Sequence, residues 1–516
     1  MNDTTNGSSH RNIIMIASFL TLIAAGVGFA VRAGILGDWA TQYGFTFLEL
    51  GTITGGGLVG FGLIIFFSGL IIDKIGYKAI LLLAFVMHLL SAIVTLAATP
   101  IFDSMGKDAT YWCLYIGTFM FAIGNGLCEG AINPLIADLY PKKKTHYLNI
   151  LHAGWPAGLI IGGLIGLLMV GKMRWEIPLA LFLVPTLAYG VITLKERFPV
   201  STARAAGVKF GEMVKQFAAP LLIILLFLQA CVGYVELGTD SWITNITGSI
   251  LQSPQQGFLL FIYASAIMFT LRFFAGPIVE RINPIGLLCV SGAIGAVGLF
   301  MLGSVQTVAL VWIAVTVYGV GKSFLWPTML GVVGEKFPRG GALTMSAVGA
   351  VGMLSAGLLG GPGIGYKQDL YASSNLKESS QDTYDRYVAG GDSTFLVFTT
   401  RGLDGQKLGV ISDKGGPGTD LDRTVKLFAE QGIENESITN LNVWWQDTKQ
   451  YAEVDKPLIG EATIHGGRMA LKLTAIVPAI MAVLFFLIAM YFRATGGYKM
   501  EHLHEHPEDE ITSGQA

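Results

Sequence analysis

Charge is what this sequence has little of. Only 14% of its 516 residues are Asp, Glu, Lys or Arg, against 52% that are hydrophobic; a soluble domain carries about 25% charged residues. Too few polar side chains are present to cover a water-facing surface, so a membrane protein is expected. The formal net charge of −2 leaves no basic excess for nucleic acid. Cysteine is scarce as well: Cys113, Cys128, Cys231 and Cys289 lie in apolar runs without a CxxC spacing, which excludes a disulfide framework or thiolate metal site and predicts buried thiols. No cleavable leader is read at the start, because the first apolar run extends from Ile13 to about Leu36, too long for a leader's apolar core.

Catalytic signals are absent too. Gly415 to Gly418 reads as a turn, since no Lys-Thr follows as in a phosphate loop. His502, His504 and His506 read as a solvated tail rather than a metal site. No cofactor, no metal and no enzyme activity are expected.

What the chain does have is long apolar runs. Twelve cover the ~30 Å hydrocarbon core, which takes about 20 helical residues: 13–36, 52–72, 79–99, 110–137, 148–170, 177–194, 219–246, 257–279, 284–304, 307–333, 342–365 and 470–492. Lys and Arg concentrate in alternate loops, with Lys74, Lys78, Lys142 to Lys144, Lys195, Arg197, Arg204, Lys209, Lys215, Arg281, Lys336 and Arg339 on one side. Only Lys107, Lys172 and Arg174 stand in the short loops on the other. The positive-inside rule then puts both termini in the cytoplasm of a multi-pass protein of the cytoplasmic (inner) membrane. The expected organisation is an N-terminal six-helix half (1–194), a cytoplasmic linker (195–219), helices seven to eleven of the C-terminal half (220–365), an extracytoplasmic insert (366–466), helix twelve (467–493) and a cytoplasmic tail (494–516).

The halves echo one another. Gly69-Leu-Ile-Ile-Asp73-Lys74-Ile-Gly76-Tyr77-Lys78 follows span two, and Gly276-Pro-Ile-Val-Glu280-Arg281 follows span eight. Span four runs from Gly124-Asn-Gly126 to Pro134 and Asp138-Leu-Tyr-Pro141; span ten runs from Gly319-Val-Gly321 to Pro327 and Glu335-Lys-Phe-Pro338. Six plus six is the plan of a transporter with two parallel halves.

At these residues the chain resembles the major facilitator superfamily (MFS) of transporters. Residues 69–78 are similar to that superfamily's loop motif, G-x-x-x-D-(R/K)-x-G-(R/K)-(R/K), with Tyr77 in place of the first basic residue of the last pair. The resemblance, which covers all but residues 366–466, implies an all-α polytopic fold of twelve transmembrane helices. It also implies a conformational gate at Gly69, Asp73, Lys74, Gly76, Lys78, Gly276 and Arg281, whose charge contacts hold the cytoplasmic helix ends together. A narrower resemblance is to the fucose/galactose/glucose:proton symporters: Glu129, Asn133 and Pro134, then Leu148, Asn149 and His152, match their span-four region, and Tyr234, Glu236, Ser241 and Trp242 follow the order of their span seven. Two departures stand out. The acidic residue those symporters carry in span one is missing around Arg32, and His152 replaces a sugar-contacting Gln.

Helical spacing gathers the polar residues into stripes. Asn125, Glu129 and Asn133 are four apart on span four, as are Tyr318, Lys322 and Trp326 on span ten. Gln229, Gly233, Glu236 and Asp240 line span seven, while Arg32 and Arg272 add cations from spans one and eight. Charged stripes avoid lipid, so they are expected to face a central cleft. Glu129, flanked by Leu127, Cys128, Ala131 and Ile132, is the expected proton-coupling residue, because charge is costly in such surroundings. Arg32, Asn125, Asn133, His152, Trp155, Tyr234, Glu236, Tyr318, Lys322 and Trp326 are the expected substrate-binding set. The structural alternative for the charged members is ion pairing within the bundle. His88 reads as a packing histidine, and Trp39 and Trp242 read as interfacial anchors.

Residues 366–466 are far more polar and read as a small α+β insert. Thr394 to Val410 is read as two strands turning at Leu403-Asp404-Gly405-Gln406, followed by a helix from Thr419 to Gln431 that Gly432 ends. Taken together, the expected function is secondary transport of a small polar solute, with proton-coupled uptake of a sugar or similar compound foremost. The alternatives are an organic-anion transporter, a proton-driven exporter and a non-transporting membrane sensor. Expected partners are the solute, H⁺ or in its place Na⁺, and membrane lipid; a monomer is expected.

Overall fold

The computed structural model describes all residues except 1, 44, 46, 170–171, 414, 416–417, 432–435 and 504–516; of the histidine tail, His504 and His506 lie outside them. Among the described residues, twelve helices are long and apolar enough to cross a membrane. They are His10–Gly34, Leu50–Ile75, Tyr77–Leu96, Ala98–Leu139, Lys144–Met169, Glu176–Lys195, Pro220–Ile250, Pro254–Arg272, Ala275–Leu302, Val308–Lys336 and Pro338–Ser379, with the twelfth inside Ile438–Ala494; they are called spans one to twelve below. Large apolar side chains such as Phe67, Ile93, Val184 and Phe300 stand exposed around the bundle, a surface that suits lipid.

Local chemistry sets the helix ends. Span four exceeds a membrane thickness because a short segment joins it at Gly106, whose positive φ of 78° suits glycine. Span nine is broken at Asn283 (φ 56°) just before Pro284, since the residue before a proline is pushed out of helical geometry. The second Gly-rich motif, Gly276 to Arg281, is therefore a helical turn ahead of the span rather than an open loop. Glycines let helices approach closely: a Cβ on Gly26 of span one would stand 2.9 Å from Cα of Gly158 of span five, the small-residue packing expected where lipid supplies no hydrophobic drive.

Spans one to six pack as one group and seven to twelve as another. Span two meets span eleven, and span five meets spans eight and ten, across the boundary between halves. Short helices of the linker, Thr202–Ala205 and Phe210–Lys215, lie across one end of the bundle, where Ala203 and Met213 pack on Leu343 of span eleven.

At the opposite end, span eleven continues as the helix Gly361–Ser379 and pairs with Ala452–Thr474, which leads into the membrane helix Ile476–Ala494. The insert therefore grows out of two bundle helices. Its secondary structure differs from expectation. Strands β1 (Ser393–Phe395) and β2 (Phe398–Thr400) pair antiparallel in register Ser393↔Thr400 and turn at Leu396-Val397, where Leu396 has φ 55°. Gly405–Asp413 is a helix. Asp404 is not a hairpin turn: its Oδ1 accepts the backbone N–H groups of Gln406 at 2.9 Å and Lys407 at 3.2 Å, so it caps the helix N-terminus. An Asp-Gly pair serves either purpose, and the apolar residues at 408, 410 and 411 supply a helical stripe that buries Val410 and Ile411. The helix expected near 419–431 is Asp420–Gln431; Gly432, its expected end, lies outside the described residues, as do Gly416 and Pro417 of the expected turn. Leu376, Tyr387, Ile411 and Ile459 form the insert's core.

Candidate functional site

In the C-terminal part of span four, Glu129 is 4% exposed. Its Oε1 stands 3.9 Å from His152 Nε2, while Oε2 has no hydrogen-bond partner among the described residues. His152, at the end of the helix Lys144–His152, also lies 2.9 Å from Asn133 Oδ1; the amide oxygen can only accept, so His152 Nε2–H is the donor. From the other half comes Glu236, in the π-helical turn Tyr234–Gly238 that interrupts span seven. Such turns often mark functional positions. Glu236 Oε1 accepts from Arg272 Nη2 at 3.0 Å.

Arg272 is tied at every branch. Besides Glu236, its Nε donates to Ser323 O at 2.8 Å and its Nη1 to His152 O at 2.5 Å. Both carbonyls are available for the same reason: Pro327 and Pro156 stand four residues after Ser323 and His152 and have no N–H to complete the helical bond. Two prolines, one in each half, thus create the acceptors that hold one guanidinium at the boundary.

Around these groups lies a narrow cavity with an empty volume of about 390 Å³, lined by Leu22, Phe61, Glu129, His152, Trp155, Glu236, Leu237, Arg272, Trp326 and Met353. Apolar walls with a few convergent polar groups are the usual make-up of a small-molecule site. Gln229 of span seven is fully buried, and neither its amide oxygen nor its nitrogen is paired among the described residues.

Of the expected substrate set, His152, Trp155, Glu236 and Trp326 meet at the cavity beside Glu129, the expected coupling residue, with Asn133 holding His152 beside it. The others lie elsewhere. Arg32 is buried inside the first half, its Nη2 donating to Ser91 Oγ at 2.9 Å and its guanidinium carbon 3.9 Å from the Phe121 ring centre. Phe121 and Glu129 are two turns apart, about 12 Å along the helix, so Arg32 is not the partner of Glu129. Asn125 faces His88, which in turn bonds Tyr189 at 2.9 Å. Tyr234 lies under the Lys367 ammonium, 5.2 Å from its ring centre. Tyr318 donates to Val235 O at 2.8 Å.

Lys322 pairs with Asp240 instead of facing the cavity beside Trp326. The helix breaks between Lys322 and Leu325, so the four-residue spacing does not carry one face through. Trp39 is fully buried against Trp175 and so is no interfacial anchor, while the half-buried Trp242 donates from Nε1 to Gly361 O at 2.7 Å. The missed apolar contributors, Leu22, Phe61, Leu237 and Met353, lie on apolar helices and carry no sequence signal.

The residues expected to form a gate gather at the linker end. Gly69 packs on Ser346 of span eleven, where an added Cβ would stand 2.4 Å from that side chain. Asp73 Oδ1 accepts from Ser201 Oγ at 2.5 Å, and Lys74 O accepts from Arg204 at 3.2 Å, so the carboxylate holds the linker rather than a basic residue. Tyr77, where the motif has a basic residue, donates to Asp138 Oδ2 at 2.7 Å. Lys78 caps span six through Leu194 O and Glu196 O, at 2.9 and 3.0 Å, and Gly76 has φ 87°. In the second half, Gly276 packs on His146, Arg281 is exposed, and Glu280 pairs with Lys143 at 3.1 Å. Further bonds cross between halves at this end: Thr145 Oγ1 to Glu335 Oε1 at 2.6 Å, Lys144 Nζ to Gly334 O at 2.7 Å and Asn149 Nδ2 to Thr328 Oγ1 at 3.1 Å. No cluster of three or more potential metal ligands occurs among the described residues.

Comparison with known proteins bears on this architecture. Among solved structures, the transporter FucP in its outward conformation is 17% identical with a TM-score of 0.57, covering 69% of this chain and 91% of its own. The proton:xylose symporter XylE is 15% identical with a TM-score of 0.60, covering 69% and 88%. The human organic anion transporter MFSD10 is 12% identical with a TM-score of 0.55, covering 92% and 99%. At these identities the likeness is one of fold. A curated relative, the cis,cis-muconate transport protein of Acinetobacter baylyi, is 22% identical over 219 residues, 42% of this chain; the chain matches about half of that relative's length, 51%. The family model for the Major Facilitator Superfamily matches residues 9–361, and with two six-helix groups closing on a midline cavity, the chain belongs to the Major Facilitator Superfamily.

Proposed function

We propose that this transporter takes up a small neutral polar solute, a sugar or similar compound, together with a proton, by rocking its halves about the Glu129 cavity. The observation that carries the reading is the imbalance of charge there. Arg272 is compensated by Glu236, and Lys322 by Asp240, whereas Glu129 forms no ion pair with lysine or arginine among the described residues. A buried carboxylate without a cation is costly, so it is the group that gains most from protonation when it is sealed from water. With every nearby cation compensated, an organic anion would meet a surplus negative charge, which favours the neutral solute. Sugar:proton symporters and an organic anion transporter both occur among the fold neighbours, and the cavity's own charges support the reading as a neutral solute.

The distribution of Lys and Arg supports placing the linker end in the cytoplasm and the insert outside. The bonds that seal the linker end then leave access from the outer side. The test is uptake into vesicles with Glu129→Gln, which mimics the protonated acid. Accumulation driven by a pH gradient should be lost while exchange without a gradient persists. Continued uphill accumulation in that variant would refute the assignment, and a substrate profile restricted to carboxylates would favour the anion reading.

A further inference from the structure

Between the insert and the outer ends of spans seven, eleven and twelve lies a second cleft, with an empty volume of about 1110 Å³. It is separate from the Glu129 cavity and shares no lining residue with it. Its walls are aromatic. Trp242 is fixed by its bond to Gly361 O, and Tyr366 faces Phe395 of strand β1 with ring centres 5.9 Å apart. Asn245, Gln368 and Asp369 line the same space. The Gln368 amide nitrogen is buried without a hydrogen-bond partner, and the Asp369 carboxylate forms no ion pair among the described residues. The nearest lysine in sequence, Lys367, is engaged elsewhere, donating to Thr474 Oγ1 at 2.9 Å.

Rings for the apolar faces of a solute, with two amides and a carboxylate for its hydroxyls, match a polyhydroxy ring compound. One carboxylate is too few for calcium, which takes six to eight oxygen ligands. Among the described residues no lysine or arginine lines the cleft, which speaks against an anion. We propose that this cleft is an outer binding site for a small polyhydroxy ring solute, loaded before the solute reaches the Glu129 cavity. The proposal rests on the sugar-like reading of the transported solute.

The test is titration of the full-length protein in lipid nanodiscs with D-glucose, L-fucose and D-xylose. At least one of them should bind with two equivalents. Gly405 lines the cleft with open space beyond its Cα, so Gly405→Phe should fill the cleft without a clash. Both Gly405→Phe and the conservative Asp369→Asn should weaken one of the two binding events at least tenfold. Trp326→Ala, at the inner cavity, should remove the other and leave the outer event intact. Failure of proton coupling would appear in the vesicle assay with Glu129→Gln, whereas failure here appears as wild-type binding by both cleft variants, or as one equivalent that Trp326→Ala abolishes. Binding of none of the three sugars overturns the proposal, and so does displacement of bound sugar by choline, which would make the cleft a cation site.

Discussion

Arg272 donates to the main-chain oxygen of His152 across the boundary between the two halves, 2.5 Å away. With its bonds to Ser323 O and Glu236, the guanidinium connects span eight to spans five, seven and ten. Any rocking of the halves has to release or re-form the His152 contact, while the other two travel with the second half. The cavity's ordered positive charge is thus also a joint.

Removing that joint should be costly. Arg272→Ala leaves Glu236 as an unpaired buried carboxylate, and breaking a buried pair typically costs about 3–5 kcal/mol. Thermal unfolding in detergent should shift down clearly. Arg272→Met combined with Glu236→Leu should recover most of the loss, because Glu236 is no longer left as a buried charge without its partner, yet solute binding should stay absent. An Arg272→Ala protein as stable as the parent would show that the guanidinium holds nothing.

Lys322 should behave differently. It pairs with Asp240 and does not line the Glu129 cavity, so Lys322→Ala is expected to weaken binding of a neutral solute several-fold without abolishing it. Lys322→Ala with Asp240→Asn should restore much of the affinity. Complete loss of binding in the single variant, limited to anionic solutes, would return Lys322 to the substrate site.

The twelve spans and the two-fold repeat were legible because each depends on one property along the chain, an apolar run of sufficient length or a recurring motif. The cavity was legible only in part. A four-residue spacing places Asn125, Glu129 and Asn133 on one face, but in a six-helix group an inward face has several neighbours; Asn125 meets His88 while Glu129 meets the other half. Arg32 illustrates the same limit, since nothing in Ala30-Val31-Arg32-Ala33 reveals that Ser91 and Phe121 await its side chain. Lys322 and Trp326 separated because of Pro327, whose presence was visible but whose effect on the face depends on where the broken helix resumes. The insert hairpin was misplaced because Asp404-Gly405 is as good a helix cap as a turn.

Asp73 and Ser201 are joined at 2.5 Å, and the proposed gate rests on this bond. Asp73→Asn should slow transport several-fold while equilibrium binding of the solute survives, because the linker would be held less firmly against the helix ends. Ser201→Ala should produce a smaller loss of the same kind. Parental transport rates in both would remove the linker contact from the mechanism.

Gly76 offers a test of backbone alone. Its φ of 87° and ψ of 159° lie in a region populated almost only by glycine, and the space where a Cβ would sit is open, so Gly76→Ala introduces strain without a clash, about 1–3 kcal/mol. A lower unfolding temperature is expected with unchanged solute affinity. No change in unfolding temperature would mean that the turn relaxes freely.

The insert supplies the last prediction. Lys107, in the outer segment of the first half, stands 5.6 Å from the Phe45 ring centre and 5.8 Å from that of Phe428 in the insert, so a domain rooted in the second half also touches the first. A cation–π contact at an exposed site contributes about 0.5–1 kcal/mol. If opening of the outer side must break it, removal should speed opening up to about five-fold, at 1.4 kcal/mol per factor of ten. Excision has to respect the pair Gly361–Ser379 and Ala452–Thr474, whose helices carry the bundle outward. Replacing residues 381–450 by a short Gly/Ser linker should leave a folded bundle, since surface insertions are usually dispensable to the scaffold beneath. Asp455 would lose Arg386 and Thr383, its partners at 2.8 and 2.9 Å, but it would then face water and need neither. Monodisperse protein whose uptake at saturating solute is at or above the parental rate is the expected result; below saturation uptake should fall, because the excision also removes Phe395 and Gly405 from the outer cleft. Aggregation would show that the outer helix pair depends on the insert's core, and folded protein with slower uptake at saturating solute would show that the Lys107–Phe428 contact assists the cycle instead of restraining it.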